Sequence, residues 1–337
     1  MHVCLFFSFI ALSINISVAA ATEMTSPEST TDDTLALAAK AIARIAGGTA
    51  AGQTDFASIA FLEAIIPGVG GSSCTGSLIA PNVVLTAAHC TVYSTDTSYN
   101  ASNYNVYFTH KTPDSSMADM GYSVAQVIPY PIFTMATLNH DIALLILEKE
   151  VPESVAKATK IYTGPINTGT PLRAAGFGMT NPTDIDSIPA ELMQVDLKVG
   201  SEEYCKKNSA TYHESLLICT DGTPGVDTCM GDSGGPLSTP VDNGNATYVL
   251  LGITSYSPIN DGNPNGYCAQ KNGTGFYTRA SAYLPWIVHT AGLTMEALSI
   301  TNITTVDDNN NSELGNLDSE ICIQRPDEHE SGIYEFF

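Results

Sequence analysis

Basic side chains are scarce in this chain: 13 Lys and Arg stand against 35 Asp and Glu, a formal net charge of −22 over 337 residues. Phosphate backbones and anionic lipid surfaces are gripped by clustered cations, so this balance excludes nucleic acid and charged membrane surfaces as electrostatic partners. Solubility accounts for most of the acid, with attraction of cationic substrates as a secondary effect. The excess is uneven, because residues 294–337 hold ten acids and one base. That segment includes Asp307-Asp-Asn-Asn-Asn-Ser312 and has too little apolar surface to offset the entropy of ordering. It is expected to be an acidic, Asn-rich, disordered tail; the competing expectation is a docking or inhibitory segment ending in Ile333-Tyr-Glu-Phe-Phe337.

Long apolar runs are also missing, with no stretch of about 18 such residues to span a bilayer. The run Val3 to Ile10 is too short for that purpose and leads to the small residues Val18-Ala-Ala-Ala21, the pattern of a secretory signal peptide over residues 1–20. A membrane anchor is the alternative, opposed by the polar sequence that follows. Secretion makes disulfides the default state of the seven cysteines that remain once Cys4 leaves with the signal. Six cysteines allow about 15 pairings, among which spacing cannot choose. The sequons at Asn100, Asn245, Asn272, Asn302 and Asn310 are permissive for glycans and point to surface positions.

Short apolar runs broken by turn residues fill the middle of the chain. From Ile45 to Glu150 they include Ile59 to Ile66, Ser77 to Ile79, Val83 to Thr86, Tyr104 to Phe108, Val124 to Ile128 and Ile142 to Leu147, with breaks at Pro67-Gly68, Gly70-Gly71 and Pro81-Asn82. After a proline-bearing link at 151–165 come Pro171 to Gly176, Met193 to Val199, Leu216 to Cys219, Tyr248 to Thr254 and Gly275 to Thr278, then a helical stretch near 282–291. Such spacing indicates an all-β protein of one or two units.

Three stretches carry chemistry. Thr228-Cys-Met-Gly-Asp-Ser-Gly-Gly-Pro236 holds one hydroxyl, Ser233, in a glycine-rich turn where the N–H groups of Gly231 and Ser233 are suited to binding an oxyanion. A serine nucleophile needs a base. His89, in Leu85-Thr-Ala-Ala-His-Cys90, has an unperturbed pKa near 6.5 and fits that role, although a lone histidine in an apolar run is more often a packed core residue. Asp141, in His140-Asp-Ile-Ala-Leu-Leu145, can orient that imidazole, where the plain alternative is an acid at a strand end. A metal site at His89 and Cys90 would need a second histidine at ligand spacing, which is lacking.

In the order His, Asp, Ser, these stretches resemble the three signature motifs of the trypsin-like (chymotrypsin-family) serine proteases, and the similarity runs from about Ile45 to about Leu293. The resemblance implies two antiparallel six-stranded β-barrels packed face to face, a C-terminal helix, and a catalytic triad of His89, Asp141 and Ser233. It implies disulfides Cys74 with Cys90, Cys205 with Cys219, and Cys229 with Cys268, which leaves Cys322 over. Arg44-Ile-Ala-Gly-Gly48 is similar to the family's activation site, usually Ile-Val-Gly-Gly. Residues 21–44 would then be a propeptide, and cleavage after Arg44 would free the Ile45 amine to pair with Asp232. Asp227, six residues before Ser233, matches the pocket-floor aspartate of members that cut after Arg or Lys; Ser255, Tyr256, Ser257 and Gly275 match the pocket walls. Tyr256 and Ser257 depart from the usual Trp and Gly, and the added Ser257 side chain burdens a long arginine more than a lysine. The implied protein is a secreted, monomeric zymogen that takes protein or peptide substrates, meets protein protease inhibitors, and needs neither cofactor nor metal. The alternative is a non-catalytic binding or decoy protein on the same fold; such relatives usually lose a triad residue or the activation sequence, and both are kept here.

Overall fold

The computed structural model describes residues 47–94, 97–181, 184, 186–241, 247–257, 268 and 274–303. Arg44, Ile45, Cys322, the signal and propeptide stretches and most of the acidic C-terminal segment lie outside the described residues.

Six strands, β1 (Ile59–Ile66), β2 (Gly70–Ala80), β3 (Val83–Thr86), β4 (Tyr104–Tyr107), β5 (Tyr122–Pro129) and β6 (Ala143–Leu147), form a closed antiparallel barrel in the order β1-β2-β3-β6-β5-β4. The β1–β2 hairpin closes at Ile66-Pro67-Gly68-Val69, where the Val69 N–H donates to the Ile66 carbonyl at 3.0 Å and Gly68 has φ 76°. Proline then glycine is the pair that a type II turn requires, because only the second position needs positive φ. β1 is nearly all apolar and buried on both faces. Ala60, Leu62 and Ala64 fill the barrel, while Ile59 and Phe61 face outward to pack with Ala175 and Phe177. The period of two along a strand separates these sets. Phe61 meets Phe177 edge-on, centroids 5.2 Å apart.

A second set, β7 (Pro171–Gly176), β8 (Met193–Lys198), β9 (Leu217–Cys219), β10 (Pro236–Val241), β11 (Thr247–Tyr256) and β12 (Phe276–Arg279), pairs in the order β8-β7-β10-β11-β12-β9. Its two ends meet at the single bridge Val199↔Thr220, with the Gly200 N–H on the Cys219 carbonyl at 2.9 Å and the Asp221 N–H on the Lys198 carbonyl at 3.0 Å. Leu172, Val195, Leu197, Leu237, Leu251 and Tyr277 fill this unit. The closed six-stranded barrel and this second sheet, which among the described residues also takes in the short strands Thr49–Ala50, Ile161–Tyr162 and Ser299–Ile300 to make nine, are consistent with the expected two-barrel architecture.

Helix α1 (Glu202–Asn208) is not among the sequence expectations. Ser201 caps it by accepting from the Tyr204 N–H, with Glu202 and Glu203 in the first turn and Lys206 and Lys207 in the last, both favourable to the helix dipole. Helix α2 (Leu284–Ala291) is the expected C-terminal helix, ended by Gly292 at φ 65°. Among the described residues no helix is long and apolar enough to cross a membrane.

The expected tail begins too early. Residues 294–303 are structured: Thr294 caps α3 (Met295–Leu298), Leu298 is 1% exposed, and Ser299–Ile300 pairs in parallel with Ile161–Tyr162, itself paired with β11. Acid content averaged over the whole C-terminal segment hides one buried leucine and one cap. Leu298→Ala should therefore cost about 2–5 kcal/mol in denaturant unfolding; a change below about 0.5 kcal/mol, the range of surface substitutions, would contradict the packing of this segment.

Candidate active site

β3 and β6 pair with Thr86 opposite Ala143. His89, in the short 3-10 turn Ala88–Thr91 after β3, and Asp141, just before β6, thus emerge from adjacent strand ends. Asp141 has no exposed surface. Its Oδ2 lies 2.7 Å from His89 Nδ1 and accepts from Ser255 Oγ at 2.6 Å, while Oδ1 accepts the His89 backbone N–H at 2.8 Å. An ionised carboxylate only accepts, so the shared proton sits on Nδ1 and Nε2 keeps its lone pair. Burial alone would lower the His89 pKa; the Asp141 charge and hydrogen bond outweigh it, and the net shift is upward.

The turn before Asp141 is held by the neighbouring His140, whose φ is 57°. Its ring stacks on Tyr130 and its Nδ1 lies 3.0 Å from the Tyr283 hydroxyl. A left-handed conformation is unfavourable for a residue with a Cβ, and these two contacts stabilise it.

The Ser233 turn is clamped from both sheets. Thr75 on β2 donates its N–H to the Ser233 carbonyl at 2.8 Å, and the Gly234 N–H donates to the Thr254 carbonyl on β11 at 2.9 Å. Gly234 has φ 78°, and a Cβ there would lie 2.0 Å from Thr86 Oγ1, so glycine is required. Gly231, at φ 101°, packs against Gly178 in the same way. The disulfide Cys74–Cys90 joins the His89 turn to the strand that holds Ser233. Cys205–Cys219 and Cys229–Cys268 are the other two, as the resemblance implied. Cys74, His89 and Cys90 cluster closely enough to suggest a metal site, but the disulfide consumes both thiolates.

Two more carboxylates are fully buried. Asp232 accepts from the Gly178 N–H at 2.7 Å and the Cys229 N–H at 2.8 Å. Burial pushes its pKa up to about 7 against those hydrogen bonds, with a further upward push from Asp227. A Cβ at Gly176 or Gly178 would strike this carboxylate at 2.2 and 2.5 Å. Sequence reasoning missed both glycines; the signal was the Gly-Phe-Gly spacing at the end of β7. Asp227 accepts from the Thr228 N–H and from Ser257 Oγ, each at 2.8 Å, and burial pushes it up to about 6. Gly275 packs on it, since a Cβ there would lie 2.7 Å from Oδ1. Ser255, expected as pocket wall, turns its hydroxyl to Asp141, and Tyr256 stacks on Phe276 at 4.9 Å.

A family model described as Trypsin matches residues 45–287. The chain belongs to the trypsin family of serine proteases. It is 31% identical over 273 residues to melanization protease 1 of Drosophila melanogaster, covering 72% of this chain and 64% of that protein. It is 33% identical over 244 residues to a trypsin of Saccharopolyspora erythraea, covering 71% and 94%. With the renal glandular kallikrein of Mastomys natalensis it shares 33% over 232 residues, 64% and 78% of the two chains. The chain therefore spans less than two thirds of the length of the first of these relatives. Membership of this family supports a serine endopeptidase.

Asp232 sets a pH dependence on this trypsin-family fold. Its folded pKa is raised above an unfolded value near 3.9, so the native state binds more protons between about pH 4 and 7 and stability falls as pH rises through that window. The loss should be on the order of 4 kcal/mol, with Asp227 adding a smaller slope up to about 6. Asp232→Asn should flatten most of it in unfolding measured from pH 4 to 8; an unchanged slope would show that Asp232 is not the group responsible.

Proposed function

We propose that the chain is a secreted serine endopeptidase that cuts after lysine or arginine and is made as a precursor activated by cleavage after Arg44. His89 takes the proton of Ser233 through Nε2 as Oγ attacks the scissile carbonyl, and the N–H groups of Gly231 and Ser233 hold the oxyanion. The imidazolium, stabilised by Asp141, then protonates the leaving amine, and water hydrolyses the acyl-enzyme by the same steps. These steps use no cofactor. The observation that carries this assignment is Asp141, fully buried and bonded to His89 through both backbone and ring.

Activation follows from Asp232. A buried carboxylate without a cation is costly, and the Ile45 ammonium freed by cleavage would supply one. Support comes from its complete burial and its pKa, raised to about 7. Basic specificity draws on Asp227, buried between Thr228, Ser257 and Gly275. Secretion draws on the signal-like stretch, the disulfides, and the exposure of Asn100 and Asn302 at two sequons. Protein substrates and protein inhibitors are the partners this assignment implies.

The test is to cleave the precursor after Arg44 and assay matched lysine, arginine and phenylalanine substrates. Turnover should depend on cleavage, favour the basic substrates, and vanish in Ser233→Ala while the fold is kept. Asp227→Ser should abolish the basic preference. Full activity in Ser233→Ala would overturn the mechanism, and an unchanged preference in Asp227→Ser would remove Asp227 from the pocket.

A further inference from the structure

Each oxygen of Asp227 already has a donor. Oδ1 accepts the Thr228 N–H at 2.8 Å with Thr228 Oγ1 at 3.5 Å, and Oδ2 accepts Ser257 Oγ at 2.8 Å. The Oδ1 side is further closed by the Gly275 backbone. Ser257 follows a fixed residue, because Tyr256 lies flat on Phe276 at an interplanar angle of 8° and its hydroxyl lies 2.9 Å from Ser209 Oγ. The Ser257 hydroxyl is thereby kept at the carboxylate.

The two basic side chains need different things from such a site. A guanidinium is a rigid planar fork whose best partner is a carboxylate open along both oxygens. An ammonium is compact, with three rotatable donors, and accepts a mixed set of oxygens around it. A hydroxyl that donates to a carboxylate still has lone pairs to offer. Ser257 therefore stands in the path of one arm of the fork, while its oxygen and that of Thr228 add acceptors for an ammonium that reaches one oxygen of Asp227.

We propose that Ser257 is a specificity-determining residue that turns the pocket toward lysine and away from arginine, an inference that rests on Asp227 being the floor of that pocket. The prediction is a kcat/KM for a lysine substrate roughly tenfold above that for its matched arginine counterpart in the enzyme cleaved after Arg44. Ser257→Gly should raise the arginine value and reduce the ratio by roughly tenfold. Ser257→Ala, which keeps the Cβ and removes the acceptor, should lower the lysine value without a matching gain for arginine. Titrating active sites in each variant separates these effects from loss of folded protein. A lysine-to-arginine ratio unmoved by Ser257→Gly would overturn the inference while leaving basic specificity intact. Preference for phenylalanine in the unsubstituted enzyme, unmoved by Asp227→Ser, would instead remove the floor and the inference with it.

Discussion

An ionised carboxylate withdrawn from water is stable only where hydrogen bonds and charge replace its hydration. Asp141 meets that demand with groups from both halves of the molecule. His89 approaches from the end of β3, Ser255 donates from β11, and the Asp141 carbonyl accepts from Thr278 Oγ1 on β12 at 2.8 Å. One buried side chain thus joins the first barrel to the second sheet and fixes the imidazole tautomer. The Ser233 turn depends on the same junction, since Thr75 and Thr254 hold it from opposite sides. Aligning these groups requires both units to fold and dock together, which places the candidate reaction centre at their seam.

Asp232 and Asp227 extend the theme with opposite consequences. Asp232 is enclosed by a wall so close that Gly176 and Gly178 have no room for a Cβ. Its two backbone donors are not enough to keep its pKa in the ordinary carboxylate range. Such a site favours any event that brings in a positive charge, and the proposed activation by a new N-terminus would be one. Asp227 has hydroxyl donors as well as a backbone N–H, and those hydroxyls also offer acceptors to an incoming cation. Under the proposed basic specificity, selection is a matter of which cation suits that mixed set of oxygens.

Much of the strand pattern was legible because turn chemistry punctuates it. Ile59–Ile66, Val83–Thr86 and Pro171–Gly176 have the bounds that flanking proline, glycine and asparagine suggest. Closure of six strands into a barrel was not legible from periodicity and came from the resemblance, because pairing partners lie far apart in sequence. α1 was overlooked although Ser201-Glu-Glu is a readable helix start, and α3 was lost in the acid content of its surroundings. At the candidate site, His89, Asp141 and Ser233 stood out by motif. Roles set by close approach, such as those of Gly176 and Gly178 at Asp232, leave only a spacing in the sequence. The turn of Ser255 toward Asp141 leaves no sequence trace of its own.

In the proposed mechanism the buried Asp141–His89 pair makes Ser233 nucleophilic. The decisive measurement treats the chain cleaved after Arg44 with a fluorophosphonate and locates the adduct by mass spectrometry across a pH series. A single adduct on Ser233 is expected, forming faster as pH rises through a His89 pKa above its ordinary 6.5, with that limb displaced to lower pH in Asp141→Asn. A folded, cleaved protein that takes no label on Ser233, or labels it at a rate indifferent to Asp141, would contradict that mechanism.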